Sequence, residues 1–173
     1  MTNQQQCQAF FASRKSLVLS TYNQAGLIET SAAPFVTDSE GYLYLFISEL
    51  AQHTQNILGM LSETTTPPFS VSKHNGLVSC LLISDERETE QMFARERLSL
   101  QAIPRLVAKK EANYSIVLSL FEQQFGEVVQ MLTSLPDFHL VQLTPESGGY
   151  VKGFGQAFRF EGCVCHALTP RRR

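Results

Sequence analysis

Basic residues are absent from a long early part of the chain. No lysine or arginine lies between Leu17 and Ser72, and His53 is the one side chain there that can carry positive charge. Proteins bind phosphate groups chiefly through arginine and lysine. The absence therefore argues against a phosphorylated ligand held by this part of the chain.

Long apolar runs and several catalytic motifs are also missing. The sequence has no run of about 18 apolar residues, which excludes a transmembrane helix and predicts no membrane insertion. Met1–Gln8 is polar and lacks the basic and apolar regions of a secretory signal. There is no P-loop, Gly-x-Ser-x-Gly or His-Glu-x-x-His motif, so hydrolase and nucleotidase functions lack support.

Cysteine and net charge are both low. The four cysteines are Cys7, Cys80, Cys163 and Cys165. Their spacing shows no disulfide framework, which predicts a reduced protein in the cytoplasm. The formal net charge is −2, and the only basic run is the terminal Arg171–Arg173. No nucleic-acid partner is therefore expected.

The length and apolar content predict one domain with a full core. The chain has 173 residues, of which 43% are hydrophobic. Such a chain needs no disulfide or metal to support its core. We expect a single domain over residues 1–173, with a barrel core at about 14–160 and a tail at 161–173.

Short runs of strand-forming residues, separated by turn sequences, predict an antiparallel sheet. The predicted strands are Ser16–Tyr22, Leu27–Val36, Tyr42–Ile47, Leu77–Ile83, Arg97–Val107, Phe138–Leu143 and Gly149–Phe160. Pro104 indicates a sheet edge or a bulge. A Pro-Glu-Ser-Gly turn at 145–148 is expected to separate the last two strands.

Helical patterns lie between the strands. Ser48 is a candidate N-cap for a helix through Leu58. Apolar residues from Tyr114 to Phe125 follow helical spacing before Gly126, and a shorter helix is predicted over Glu127–Leu135. Residues 63–75, rich in Thr, Ser and Pro, predict a loop. Together these patterns predict an α+β fold, a small β-barrel with helices between its strands.

Polar side chains alternate along the predicted strand that begins near residue 95. If the segment is extended, one face carries Arg95, Arg97, Ser99 and Gln101. Arginines on a barrel face can bind ligand carboxylates through bidentate contacts. The alternatives are an ordinary solvated strand face or a salt bridge to Glu88 or Glu90.

The segment from Tyr150 to Phe160 has one aromatic face and one small face. The small face carries Val151, Gly153, Gly155 and Ala157, opposite Tyr150, Phe154, Phe158 and Phe160. Small residues allow a flat ring to approach closely. Tight packing of a neighbouring strand or subunit would explain the same pattern.

Histidine and aspartate supply further candidates. His53 lies on a helical stripe with Leu50 and Ile57, as either a packed core residue or a ligand. Asp137 can orient a histidine or water, or cap a turn. Cys163–His166 resembles a fragment of a metal site, but structural zinc needs four ligands and no second pair lies nearby.

Several segments together match one family in order. These are Ala33–Val36, Ser48–His53, Phe93–Leu98, Phe125–Glu127, Asp137–Phe138 and Tyr150–Ala157. On these motifs, over about residues 10–160, the chain resembles the haem-utilisation proteins of the HugZ/HutZ type. They are members of the pyridoxamine-phosphate-oxidase-like, FMN-binding split-barrel superfamily. The resemblance implies a homodimer of split barrels that binds haem at the subunit interface.

The resemblance also implies roles for individual residues. Arg97 would lie near the haem, and His53 and Asp137 would be polar residues of the site or interface. Arg95, on the same predicted strand face as Arg97, is a further candidate for cofactor binding. Ser16 would stand where a hydroxyl meets that aspartate across the dimer. The family's axial histidine lies in a C-terminal His-Leu-x-x-Gly-His loop, which this chain lacks. His166 is the only histidine in that region and the candidate iron ligand.

Three functions follow as expectations. The first is haem binding in iron acquisition, with oxidative opening of the porphyrin by an external electron donor. In that reaction Arg97, Asp137 and His53 would be the catalytic side chains. The second is an FMN-dependent oxidoreductase, since many split barrels hold FMN. The third is a haem carrier or storage module without enzymatic activity.

Overall fold

Within residues 1–62 and 76–171, which the computed structural model of the chain describes, eight strands form one antiparallel sheet. The strands are β1 (Ser16–Tyr22), β2 (Ile28–Thr37), β3 (Leu43–Ser48), β4 (Val78–Ile83), β5 (Arg97–Val107), β6 (Phe138–Gly153), β7 (Gln156–Glu161) and β8 (Thr169–Pro170). The helices are α1 (Asn3–Ser13), α2 (Gln52–Ser62), α3 (Ala112–Phe125) and α4 (Val128–Thr133). Two short 3₁₀ turns, Glu86–Glu88 and Met92–Ala94, precede β5.

The first six strands close into a barrel. Their order is β3-β2-β1-β4-β5-β6, and β3 pairs with β6 to complete the ring. β7 and β8 extend the sheet from the far end of β6. The α+β class, the antiparallel barrel and the flanking helices are confirmed.

The barrel interior is the main core of the protein. Inward-facing residues of all six strands meet there with residues of α1 and α2, including Leu19, Leu45 and Ile57. β3 is buried on both faces, because its other face packs under α3 and α4 in a second cluster that contains Tyr44 and Phe46. A continuous apolar run such as residues 43–47 is typical of a strand that is buried on both faces.

Helices α3 and α4 cover only one side of the barrel wall. Val117, Phe121 and Val129 pack on the outer face near β3 and β6. α3 ends at Gly126, whose φ of +82° lies in the left-handed region that favours glycine. No helix in the described part of the chain is long and apolar enough to cross a membrane.

Sequence patterning located β1 and β5 to the residue, and it was wrong in three other places. β6 runs without interruption through residues 145–148, where a turn was predicted, and the true turn lies at residues 154–155. α2 begins at Gln52, since Ser48 still belongs to β3 and does not cap the helix. The N-terminal helix α1 was not predicted. The predicted loop at 63–75 lies outside the described residues.

Pro104 lies where its missing N–H costs little. β4 pairs with β5 only from Arg97 to Ala102, so Pro104 has β6 on one side and no β4 residue on the other. The register shift of this pairing falls at Gln101/Ala102. The prediction of an edge position for Pro104 is confirmed.

Candidate functional site

Arg97 opens β5 and lies on the outer face of the barrel. Along β5, Leu98 and Leu100 are buried in the core, whereas Ser99 and Gln101 alternate with them and are exposed. The side chain of Arg97 is half-buried, and its Nη1 donates to the carbonyl oxygen of Arg95 at 2.9 Å. The predicted alternation of this face is confirmed from Arg97 onward.

Arg95 lies outside the strand and is already occupied by protein partners. It follows the 3₁₀ turn Met92–Ala94, and its Nε donates to the carbonyl oxygen of Ser84 at 2.8 Å. Its Nη1 forms an ion pair with Glu86 Oε1 at 3.1 Å. The salt bridge predicted to Glu88 or Glu90 therefore forms with Glu86 instead, because the turn at 86–88 brings that carboxylate to the guanidinium.

Two adjoining clefts lie beside Arg95. One, of about 690 Å³, runs between α1, the segment 84–96 and β6, and Phe10 and Tyr150 line it. The other, of about 680 Å³, contains Ser16 and Arg95. The structure thus brings two of the predicted cofactor-binding residues together, while His53 and Asp137 lie elsewhere.

Tyr150 joins the larger cleft to the core. Its ring is fully buried, and its hydroxyl donates to Glu96 Oε1. Burial, followed by the hydrogen bond to the carboxylate, raises the pKa of Tyr150 well above its ordinary value. The phenol is therefore a hydrogen-bond donor at neutral pH and fixes the Glu96 carboxylate at the wall of the cleft.

His53 closes one end of the barrel. His53 lies in α2 and packs against β2, and the Nδ1 of His53 is 2.6 Å from the hydroxyl oxygen of Ser31. One turn later, Asn56 donates to Thr21 and Glu29 of the same end. Burial lowers the pKa of His53, so the imidazole is neutral at physiological pH. The prediction of a packed, hydrogen-bonded histidine is confirmed within the protomer.

Asp137 stabilises the connection between β3 and α2. Its Oδ2 accepts from the hydroxyl of Ser48 at 2.5 Å, and its carbonyl oxygen accepts from the Glu49 N–H at 2.9 Å. Ser16, expected opposite this aspartate across a dimer, is exposed at the start of β1, where it pairs with Pro34. Within one protomer the hydroxyl on Asp137 belongs to Ser48.

A histidine–carboxylate pair that sequence reasoning missed lies next to Asp137. His139 Nε2 is 2.6 Å from Glu49 Oε1, and about a quarter of the histidine side chain is exposed. Glu49 lies within the motif Ser48–His53, but its partner follows 90 residues later. Only the pairing of β3 with β6, which sets Ile47 opposite His139, brings the two together.

The C-terminal segment contradicts the prediction of four reduced cysteines. Cys165 forms a disulfide with Cys7 of α1, while Cys80 and Cys163 are free. The pattern showed no framework because the bonded pair is 158 residues apart. His166 is exposed, and its neighbours Cys165 and Ala167 both have positive φ, +60° and +46°. Such backbone persists when its surroundings hold it, here through the disulfide.

The described residues contain no group of three or more His, Cys, Asp or Glu side chains arranged for a metal ion. A metal fragment built on Cys163–His166 is therefore not supported, since Cys165 is consumed by the disulfide. Haem iron differs in needing only one or two axial ligands from the protein. The exposed imidazole of His166 remains chemically suited to that role.

Comparison with known proteins places the chain in a family. It is 37% identical over 153 residues to the haem oxygenase HutZ of Vibrio cholerae serotype O1, covering 88% of this chain and 78% of that protein. The chain belongs to the HutZ family. The resemblance found in the sequence motifs is thereby confirmed. No protein-family model matches the chain.

Solved structures of HutZ relatives share the fold. The crystal structure of V. cholerae HutZ, described as a haem storage protein, superposes with a TM-score of 0.70 at 30% identity, covering 94% of this chain and 96% of that one. Campylobacter jejuni ChuZ superposes with a TM-score of 0.75 at 26% identity, covering 98% of this chain and 65% of that one. A haem-binding protein of Mycobacterium smegmatis, at 14% identity and a TM-score of 0.72, supports the fold alone.

Proposed function

We propose that this protein binds haem and acts in haem utilisation. The observation that carries the proposal is the relationship to V. cholerae HutZ, at 37% identity over most of the chain. The absence of lysine and arginine from Leu17 to Ser72 agrees with a ligand other than a phosphorylated cofactor. Haem is the substrate or cargo in this proposal.

The residues proposed for the site act through different elements. Arg97 lies on the outer sheet face with a guanidinium that makes no ion pair among the described residues, so it is available to a ligand carboxylate. Arg95 and Ser16 lie together in the cleft of about 680 Å³. His53 and Asp137 are proposed to order polar groups and water around the ring, each from a position fixed by its serine partner.

His166 is proposed as the iron ligand. Its ring is exposed and makes no hydrogen bond within the described segments. In His53 and His139, by contrast, one ring nitrogen is hydrogen-bonded to another side chain. The disulfide at Cys165 fixes the backbone that presents the ring. A histidine held in this way suits axial ligation of haem iron.

Oxidative degradation of the bound haem is the proposed activity. Haem would supply the iron that binds dioxygen, and an external electron donor would supply the reducing equivalents. The protein would contribute the axial imidazole, the polar groups around the ring and the burial of its faces. Storage or transport without catalysis is the alternative, and it is supported by the description of V. cholerae HutZ as a haem storage protein.

A homodimer is part of the proposal because, within residues 1–62 and 76–171, one side of the barrel wall is left uncovered. Val18 of β1 lies between Ala32 and Leu81 in register, and these side chains point away from the core. Helices α3 and α4 pack on the other side of the barrel. An apolar patch of this kind on a sheet face can be buried by packing against another layer. Light scattering should therefore give about twice the chain mass of 19.4 kDa.

A titration with hemin tests the function. Adding hemin to the purified protein should give a sharp Soret band, which His166→Ala should shift or weaken. His139→Ala removes another partly exposed histidine and serves as the control. Ascorbate and oxygen should then bleach the band to a bilin if the protein is an oxygenase, whereas a carrier would keep it.

FMN is the competing ligand. An FMN-dependent oxidoreductase would purify yellow, and its phosphate would need cations outside Leu17–Ser72, such as Lys15, Arg95 or Arg97. A hemin spectrum that the protein leaves unchanged, together with bound flavin, would contradict haem utilisation.

A cytoplasmic location is proposed on the exposed free thiol of Cys163. Disulfides are rare in the cytoplasm, so the redox state of the cysteines in cells tests this location in a protein that has the Cys7–Cys165 bond. Alkylation of intact cells should modify Cys163. A fully oxidised Cys163 in rapidly quenched cells would contradict the reducing location.

A further inference from the structure

We propose that Arg97, Arg159 and Arg171 bind the two carboxylate groups of haem on the outer face of β5, β6 and β7. We call these three residues the arginine face. The inference rests on the proposed haem binding and adds the groups that recognise the acidic edge of the ligand. It assigns a role to the C-terminal strand β8, which no function has so far explained.

The register of the sheet places Arg97 and Arg159 on one face. Arg97 pairs with Val151 of β6, and Arg159 of β7 pairs with Gly149 of the same strand. Residues opposite one another in an antiparallel pair project to the same side, and Gly149 and Val151 are about 7 Å apart along β6. Tyr150, between them, points into the core. The two guanidinium groups therefore rise from the solvent side of the sheet.

Arg171 completes the group from beyond β8. Its backbone N–H donates to the carbonyl oxygen of Ala157 at 2.8 Å, which continues the pairing of β7 with β8. Its side chain lies over Gly149, where an added Cβ would stand 2.8 Å from Nη2 and 3.4 Å from Cζ. Gly149 is buried although it lies on the outer face, since this guanidinium covers it.

No carboxylate neutralises the arginine face within residues 1–62 and 76–171. The ion pairs there involve Arg95, Arg105 and His139. Glu161 follows Arg159 on the outer face of β7, opposite Ser147, and forms no ion pair with it. Three like charges on one face repel each other, and an anion that binds between them relieves this repulsion.

The surface under these charges suits an acidic, planar ligand. Val151 and Ala157 form the floor beside the guanidinium that covers Gly149, and neither carries a side chain larger than valine. A flat ring can therefore lie near the sheet while the guanidinium forks reach its edge. Arginine matches a carboxylate with two parallel hydrogen bonds, and haem carries two carboxylates on one edge. A phosphate would share this chemistry, so the test includes FMN.

Iron-free protoporphyrin IX separates this site from axial ligation. Its fluorescence titration should give a Kd that rises about three- to tenfold in Arg159→Gln and in Arg171→Gln, and more in the double variant, as expected for charge-assisted contacts that are partly exposed. Raising the salt concentration should weaken binding to the wild type more than to the double variant. Lys109→Gln removes one positive charge from an exposed turn elsewhere and should leave the Kd unchanged.

Gly149→Ala tests the placement of Arg171 without changing any charge. The new methyl group would displace the flexible guanidinium that lies over it. We expect Gly149→Ala to raise the Kd about as much as Arg171→Gln, and to add little in the Arg171→Gln background. An unchanged Kd in Gly149→Ala would contradict the proposed geometry.

The remaining outcomes separate this inference from the proposed function. Protoporphyrin dimethyl ester lacks free carboxylates and should bind the wild type and the arginine variants equally. If the wild type binds hemin while neither arginine substitution changes the Kd for protoporphyrin IX, the proposed role of the arginine face is wrong and the proposal of haem binding stands. If the wild type binds neither porphyrin, the proposed function fails. Loss of FMN binding alone in the variants would assign the arginines to phosphate and overturn the inference.

Discussion

Cys7 in α1 and Cys165 in the C-terminal segment form a disulfide, with their Cα atoms 5.6 Å apart. Cys7 is fully buried in the barrel core, and Cys165 joins the same cluster. The bond therefore ties the residues around His166 and the short strand β8 to the first helix. In this fold the two ends of the chain form one structural unit.

Removing this disulfide should destabilise the protein. Cys7→Ser or Cys165→Ser should lower the free energy of unfolding by about 2–5 kcal/mol, because the cross-link restricts a very long loop in the unfolded chain. Urea denaturation followed by circular dichroism measures the change. Cys163→Ser alters an exposed free thiol two residues from the bond and is the matched control. Equal midpoints for Cys165→Ser and the wild type would contradict the structure.

Acidification should destabilise the protein partly through His53. Burial lowers its pKa in the folded state, so the unfolded chain binds the proton more readily. The stability that depends on neutral His53 is complete above the unfolded pKa of about 6.5 and is lost as the pH falls toward the folded value. His53→Gln should flatten the pH dependence of unfolding below about pH 6.5. An unchanged slope in His53→Gln would contradict this contribution of the buried imidazole.

Gly148 should tolerate no side chain. A Cβ there would lie 2.2 Å from Phe160 Cζ and 2.4 Å from the Ser99 carbonyl oxygen. Gly148→Ala should therefore cost about 1–3 kcal/mol or more, as overpacking of a dense core does. Gly59→Ala, in α2 with open space around the new methyl, should instead stabilise by about 0.5–1 kcal/mol. Thermal unfolding of both variants checks the contrast, and equal effects would refute it.

Asp137 and Ser48 should be energetically coupled. A hydrogen bond to a charged group contributes about 1.5–3 kcal/mol, so Asp137→Asn and Ser48→Ala should each destabilise the protein. In a double-mutant cycle the combined variant should lose less than the sum of the two single losses. Additive losses would mean that the two side chains do not interact in solution. Thr133→Ala removes an exposed hydroxyl from α4 and provides the control.

The sequence predicted the strands whose two faces differ clearly. β1 and β5 alternate between buried and solvent-facing residues, which fixes a period of two and hence their limits. β6 was divided because residues 145–148 contain a proline and a glycine that usually form a turn. In the structure a register shift absorbs that segment, and Gly148 is needed for packing against Phe160.

Other features depend on contacts that no local pattern carries. Only Cys7 and Phe10 of α1 are buried, so the helix has little apolar periodicity to read. Cys165, the disulfide partner of Cys7, comes close to this helix only when the barrel and β8 have formed. The Glu49–His139 pair and the place of Arg171 over Gly149 likewise follow from strand pairing. The outward position of Arg97 could be predicted from the sequence because the alternation of β5 lies in one segment.

Stoichiometric hemin binding tests the central claim most directly. The Soret absorbance of the purified wild type should rise linearly with added hemin and break at one haem per chain, and an excess of FMN should not displace it. Such a result would support a haem protein whatever its catalytic activity. A spectrum equal to the sum of free hemin and protein at every point would contradict the account.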